Sequence, residues 1–544
     1  MIEAALYNSL SHIYPDAGPD PSGLTAGGNA LTGERHSFQV AYRCSGCFQE
    51  GISARTESDL GGAVTLRYVG YIPCDLTVPA GNEDICEHPA PGLMPDVLRP
   101  LPPVLWAYSS GWRSLWVTVD TGHPDASPGV HQIDVILSDR EETVLRYELE
   151  IFEARLPEQE LPVTNWFHSD GICNYYNVEF ASDEYWRIAG EFVRTAVRSG
   201  INTILTPVFT PPLDTAPGHE RLTTQLVGVR VNADGSYGFT FDLLDRYIDM
   251  CLDAGARYLE ISHLFTQWGC RNAPKIVALC PEGAEKRIFG WETDGTGPEY
   301  TAFLRAFLPA LRAFLEGKGV FEKCFFHVSD EPDLSVREQY SGGSSVVKEF
   351  IPADRIIDAM SEPEFYREGL IRVPVASLSS IDRFIGEGIE SLWGYYCCGQ
   401  IRTSNRLLAA PAYRNRILGC QLFRYDIKGF LQWGFNFYNS HMSLESVDPF
   451  SSSTGGGWVP GGDPFVVYPG PGGEVWESTR LLVFAEALCD YRALSALLDS
   501  GRFGSRGDIC SMLGIDKWPF SDFEVTAAEL IDMRSRVNRL LAGV

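Results

Sequence analysis

From residue 163 onward the chain alternates between short apolar runs of strand length and stretches of helical period, and that alternation limits its architecture more than any other feature. Strand-length runs fall at 163–167, 201–205, 257–261, 324–329, 355–358, 373–378, 391–397 and 430–434. Helical periodicity fills gaps between them, most clearly at 184–199, 241–254, 299–316 and 404–425, and a further helix is expected over about 474–497. Runs that are apolar on both faces belong to a parallel sheet with helices packed outside it. Eight of them with intervening helices predict a (β/α)8 barrel with long loops after its strands; a doubly wound open sheet is the alternative architecture.

The first part of the chain follows a different pattern. Val64-Thr65-Leu66-Arg67-Tyr68-Val69, Ser114-Leu115-Trp116-Val117-Thr118-Val119 and His131-Gln132-Ile133-Asp134-Val135-Ile136-Leu137 alternate with period two, and clusters of Gly, Pro, Asn and Asp separate them. The last run leads to Thr143-Val144-Leu145-Arg146-Tyr147-Glu148-Leu149-Glu150-Ile151. Such a pattern predicts an antiparallel β-sandwich. A polar, proline-bearing joint, Leu156-Pro157-Glu158-Gln159-Glu160-Leu161-Pro162, marks its end. At 544 residues the chain exceeds a single core, and it divides into a β-sandwich domain over 1–158, a catalytic barrel over 159–500 and a helical tail over 501–544 packed on the barrel. The tail helix, 522–541, is rich in mixed charge and reads as a packing or interface element, which leaves room for a homodimer.

Charge and composition narrow the partners. Forty-four Lys and Arg against 71 Asp and Glu leave a net charge of −27, which argues against nucleic acid or an anionic membrane. No apolar run reaches the roughly 18 residues of a membrane span. The first sixteen residues lack both a basic leader and an apolar core, so a cytoplasmic location is expected. Fourteen cysteines in a chain of this length are expected to be reduced thiols rather than a disulfide framework. Cys44-Ser45-Gly46-Cys47 has no second pair at zinc-binding spacing, and Cys397-Cys398 reads as packing.

The fourth strand-length run ends abruptly in two acids and a proline: Phe325-Phe326-His327-Val328-Ser329-Asp330-Glu331-Pro332. Proline cannot extend a ladder, so the strand stops at the acids. In a parallel barrel Asp330 and Glu331 would then lie at the C-terminal rim, where such barrels place their chemistry. A structural reading stands beside this one. Ser182-Asp183-Glu184 repeats the tripeptide ahead of the helix at 184–199, where it reads as an N-cap with acids in the first turn. Ser329-Asp330-Glu331 could equally cap the helix that follows it.

The other strand ends decide what kind of ligand the rim would suit. The first supplies Trp166, His168 and Asp170, and the third His263, Gln267 and Trp268. His327 belongs to the fourth, Trp393, Tyr395 and Tyr396 to the seventh, and Trp433, Asn436 and Tyr438 to the eighth. Trp458, Asp463 and Tyr468 lie in the last long loop. Aromatic rings with acids and amides suit sugars, whose CH faces stack on rings and whose hydroxyls bond to carboxylates. No metal is expected, because His168, His263 and His327 show no metal-binding spacing. There is no Gly-x-Ser-x-Gly elbow and no phosphate-binding glycine loop, so no cofactor is expected and paired carboxylates remain. Two glycosidase acids ordinarily flank the sugar from opposite faces. Adjacent acids suit a substrate that brings its own nucleophile, a 2-acetamido oxygen attacking the anomeric carbon. One acid then orients the amide N–H and the other serves the leaving oxygen and water.

These residues carry a family resemblance. Phe326-His327-Val328-Ser329-Asp330-Glu331-Pro332 is followed by Leu392-Trp393-Gly394-Tyr395-Tyr396-Cys397-Cys398 and Gly429-Phe430-Leu431-Gln432-Trp433-Gly434. Gly462-Asp463, Tyr468-Pro469-Gly470 and Ser478-Thr479-Arg480 come after them. In order and spacing, behind an N-terminal sandwich, the set resembles glycoside hydrolase family 123, the DUF4091-type β-N-acetylgalactosaminidases. The resemblance implies exo-acting, retaining, substrate-assisted release of terminal β-linked N-acetylgalactosamine without a metal. It implies Asp330 as the residue orienting the acetamido group and Glu331 as the acid/base. Trp393, Tyr395, Trp433 and Asn436 match its motif positions, whereas Asp463 and Tyr468 fall in a variable loop. Two alternatives remain: the same mechanism on N-acetylglucosamine, and a non-catalytic carbohydrate-binding barrel.

Overall fold

The computed structural model describes residues 2–544. Its N-terminal part holds two five-stranded sheets. One runs in the order Ile2–Asn8, Arg35–Cys44, Arg113–Asp120, Val64–Cys74 and Gly92–Pro100; the other runs Gly27–Thr32, Glu142–Arg155, Gly129–Ser138, Phe48–Glu57 and Leu105–Tyr108. All neighbours are antiparallel except Gly27–Thr32 against Glu142–Arg155. Phe38, Val40, Leu115 and Val117 of the first sheet share a core with Ile133, Val135, Leu149 and Ile151 of the second. Period two lets one strand serve two cores. In Arg113–Asp120, Leu115, Val117 and Val119 point into the sandwich, while Trp116 on the other face packs with Ala493 and Leu494 of a helix from the barrel.

Eight parallel strands form the central sheet: Val163–Asn165, Thr203–Thr206, Tyr258–Ile261, Cys324–Phe326, Ile357–Met360, Val373–Ser377, Trp393–Tyr395 and Phe430–Gln432. Each falls within or beside an expected run. They pair in chain order, the first also pairs with the eighth, and a parallel bridge from Phe326 to Ile356 joins the fourth to the fifth. The sheet therefore curls into a nearly closed barrel, and an open doubly wound sheet is excluded.

The helical layer around it is uneven. Asp183–Arg198, Asp242–Asp253, Pro298–Gly317, Arg337–Lys348 and Thr479–Asp499 are full helices, but only Glu364–Arg367 and Ile381–Ile385 follow the fifth and sixth strands. The helix expected over 404–425 is corrected to two short pieces, Tyr413–Arg416 and Leu418–Arg424. Pro411 stops it from starting earlier, and the irregular stretch before that proline sends Arg406 inward. The Arg406 guanidinium bonds Asn165 at 2.5 Å, the Gly434 carbonyl at 2.5 Å, and Gln432. The helix expected from about 474 begins at Thr479, where the Ser478 hydroxyl accepts from the Leu481 amide at 3.0 Å. Ahead of it, Val475–Glu477 pairs as a strand with Val467–Pro469.

The tail helix runs Ala527–Ala542 behind a Thr526 and Glu529 capping box. It packs on Thr479–Asp499 and also on the sandwich, with Arg534 ion-paired to Glu34 and Asn538 bonded to Asn29 at 2.9 Å.

Candidate active site

The fourth barrel strand ends at Phe326, and five residues later the chain turns sharply. Glu331 has a left-handed backbone, φ 42°, and its amide donates to the Ala359 carbonyl of the fifth strand at 3.1 Å. The acids do not cap the next helix. Asp333 does so, accepting from the Ser335 amide at 2.7 Å. By contrast, Ser182 caps its helix as expected, accepting from Tyr185. Two identical tripeptides thus have different fates.

The dyad is open and asymmetric. Glu331 is exposed, and its Oε1 accepts a 2.6 Å hydrogen bond from the Tyr395 hydroxyl at the end of the seventh strand. Asp330 is half-buried, and among the described residues none donates to its carboxylate; only its backbone carbonyl is bonded, by the Trp268 amide at 2.7 Å. Burial, and next the charge of Glu331, push the Asp330 carboxyl well above the usual range, while His327 pulls the other way.

Beneath the dyad lies a buried polar layer. His327 sits between Glu260 of the third strand, at 2.6 Å from Nε2, and Asp358 of the fifth, at 3.2 Å from Nδ1. Asp358 also accepts from the Tyr340 hydroxyl at 2.6 Å and the Val328 amide at 3.0 Å. Glu260 accepts from Trp166 Nε1 at 2.8 Å and from Thr164. Burial opposes a charge on His327, but the hydrogen bonds and charges of Asp358 and Glu260 prevail and lift it to about 9, so it is an imidazolium near neutrality. His263 stacks on it with ring centres 4.0 Å apart, and burial together with that neighbouring charge drives His263 well below the usual histidine range. Among the described residues neither nitrogen of His263 has a hydrogen-bond partner.

The expected rim residues separate into three groups. Tyr395 reaches the dyad directly. Trp433 is half-exposed on the wall, with its indole N–H on Asp463 at 2.9 Å and its ring 5.9 Å from that of Trp458. Asp463 is buried, and burial pushes it up to about 6. His168 Nε2 donates to the Trp433 carbonyl at 2.9 Å, while Nδ1 accepts from Arg221 at 3.2 Å. Burial and then Arg221 push His168 down to about 4, leaving it neutral, so it braces Trp433.

The second group lies inside the barrel. Trp166, His263 and His327 belong to the layer under the dyad. Trp393 precedes Tyr395 by two residues on the same inward face and packs edge-on against Phe325 at 5.0 Å, one layer deeper. Gln267 is buried beside Asp214, accepting from its amide at 2.6 Å.

Corrections form the third group. Asn436 is fully buried with its side chain spent on the His168 backbone, and Tyr468 is fully buried with its hydroxyl on Asp96 at 2.5 Å. Tyr468 therefore joins the barrel to the sandwich rather than lining the rim, because the segment expected as a free loop pairs as a hairpin strand there.

Glu260, Asp358, Tyr340 and Asp214 escaped the sequence reading. Glu260 and Asp358 carried a usable signal, a lone carboxylate inside an apolar strand, which must find a partner when buried. Tyr340 and Asp214 carried none. Among the described residues no group of three or more His, Cys, Asp or Glu is placed to hold a metal ion.

Comparison with known proteins places the chain in a family. The model for the catalytic domain of glycoside hydrolase 123 matches residues 166–497. A family 123 glycoside hydrolase from Clostridium perfringens, studied for glycolipid glycan hydrolysis, superposes with a TM-score of 0.74 at 13% identity, covering 100% of this chain and 98% of that one. A GH5 xyloglucanase from Bacteroides ovatus gives a TM-score of 0.28 at 9% identity, over 85% of this chain and 98% of that one. No curated protein matches by sequence.

Proposed function

The chain belongs to glycoside hydrolase family 123, and from that premise we propose that it is an exo-acting, retaining glycosidase releasing terminal β-linked N-acetylgalactosamine by substrate-assisted catalysis. One observation carries the reading: two adjacent carboxylates at a barrel mouth, one held by Tyr395 and the other without a donor among the described residues. The acetamido oxygen attacks C1, the bond to the aglycone breaks, and Glu331 protonates the departing oxygen. Asp330 accepts the amide N–H and balances the positive charge of the oxazolinium ring. Glu331 then takes a proton from water, which opens the ring at C1 from the original face, so configuration is retained.

The asymmetry of the pair supports this division. In the free site the inner carboxyl, Asp330, is the one lifted towards its protonated form. An arriving amide N–H needs an acceptor there, so substrate binding transfers the proton to Glu331, where an acid is required. A glycan or oligosaccharide ending in N-acetylgalactosamine is the substrate class.

Hydrolysis of the 4-nitrophenyl glycosides of N-acetyl-β-galactosamine and N-acetyl-β-glucosamine tests the proposal and separates it from its closest alternative. Turnover of the galacto sugar is expected, lost in Asp330→Asn and lowered in Glu331→Gln, less so than on natural glycosides because 4-nitrophenol leaves without much help from an acid. Wild-type rates in both variants would remove the dyad from the reaction.

A further inference from the structure

A third carboxylate stands in a loop at the C-terminal end of the barrel, and the mechanism above does not use it. Asp214 lies in the loop after the second barrel strand, directly following Leu213, which packs in the barrel-interior cluster that includes Trp166, Trp393 and Tyr395. Its backbone is clasped by two other loops. Gln267 accepts from its amide at 2.6 Å, Ser443 donates to its carbonyl at 2.7 Å, and the Ala216 amide donates to Met442 at 3.0 Å. Three of its residues are left-handed, with φ 40° at Asp214, 57° at Met442 and 53° at Ser443. Side-chain-bearing residues hold such conformations where the surroundings over-determine them, commonly at ligand sites.

The side chains at the clasp are left incomplete. Asp214 is half-buried, and among the described residues its inner oxygen Oδ2 has no donor and the Gln267 side-chain nitrogen no acceptor. Unpartnered buried polar atoms are scarce in folded proteins, and two on neighbouring residues call for a polar ligand. The loop that carries Gln267 also meets the dyad's backbone, since Trp268, next to Gln267, donates its amide to the Asp330 carbonyl. On its other side His441, next to Met442, stacks on Trp458 at 4.6 Å, extending the aromatic wall from Trp433.

We infer that Asp214, aimed by this three-loop clasp, accepts a hydrogen bond from the C4 hydroxyl of the sugar, the one centre at which the two sugars differ, and so sets the preference between galacto and gluco configurations. The inference rests on the substrate-assisted reading, which assigns C1 and the C2 acetamido group to the dyad and leaves C3 and C4 for other residues.

Kinetics of wild type and Asp214→Asn on the 4-nitrophenyl glycosides of both 2-acetamido sugars, and on their 3-deoxy and 4-deoxy analogues, test it. Asparagine keeps the left-handed backbone. For the preferred sugar, kcat/KM should fall about thirtyfold, the loss expected for a charge-assisted hydrogen bond. Preference between epimers should shrink, and the loss should vanish on the 4-deoxy analogue. An unchanged kcat/KM, or an equal loss on every substrate including both deoxy sugars, would overturn the assignment. Ser443→Ala, which loosens the clasp without touching the carboxylate, should weaken the same discrimination to a lesser degree, and it carries the deoxy comparison if Asp214→Asn does not fold. Wild-type protein that hydrolysed none of these glycosides would sink the substrate-assisted reading and this inference with it; a failure at Asp214 alone leaves that reading standing.

Discussion

The Tyr395 hydroxyl donates to Glu331 Oε1 at 2.6 Å, across 64 residues of sequence. It is the bond that fixes the outer acid of the dyad, because Glu331 is otherwise exposed on a strained turn. Tyr395→Phe removes only that hydroxyl. A hydrogen bond to a charged group contributes about 1.5–3 kcal/mol, so kcat should fall by roughly ten- to a hundredfold. Steady-state kinetics beside a thermal melt would show the loss without unfolding.

The two acids should fail differently. Glu331→Gln removes the proton donor, a loss of about 10²–10⁴ in rate on natural glycosides. Aryl glycosides with good leaving groups need less protonation and should retain far more activity. Asp330→Asn should slow every 2-acetamido substrate alike, because each must form the same ring. Rates across a series of phenol leaving groups would separate the two patterns.

The buried His327 should make stability fall in mild alkali. Its pKa is about 9 in the folded protein and about 6.5 in an unfolded chain. A histidine raised in this way contributes stability that is complete below the unfolded value and lost as pH rises through the folded one. The melting temperature should therefore decline between about pH 6.5 and 9. His327→Gln should flatten that slope and cost about 3–5 kcal/mol, since Glu260 and Asp358 would be left without their cation. Thermal melts against pH would check both.

Acid should attack a different joint. Glu477, in the hairpin ahead of the last barrel helix, bonds Arg35 twice at 2.9 Å, Arg67 at 2.6 Å and Arg198 at 3.2 Å. Burial opposes its ionisation, but the three guanidinium groups hold its carboxyl well below the usual range. A depressed carboxyl contributes stability that is present above the unfolded value, about 4.3, and lost as pH falls below it. Arg35 and Arg67 belong to sandwich strands, so Glu477→Gln should loosen the sandwich from the barrel and lower stability by about 3–5 kcal/mol. Denaturant unfolding of wild type and variant at pH 4 and pH 7 would reveal the difference, which should be smaller in acid.

The sequence by itself determined what local patterning can specify. All eight barrel strands and the period-two sandwich strands were legible, because whether a segment buries one face or two is written in the spacing of its apolar residues. The cap at Ser182 was legible for the same local reason. The helix expected over 404–425 was not, since the irregular course before Pro411 depends on where Arg406 finds Asn165, Gln432 and Gly434. Nor could Ser329-Asp330-Glu331 be told from Ser182-Asp183-Glu184 by its residues. Only tertiary structure decided that: the Ala359 carbonyl bonds the turned amide of Glu331, Tyr395 bonds its carboxylate, and Asp333 takes over the cap. Asp214 and Tyr340 were silent for that reason too. The role of a polar side chain depends on partners distant in the chain, and the fold alone sets those distances.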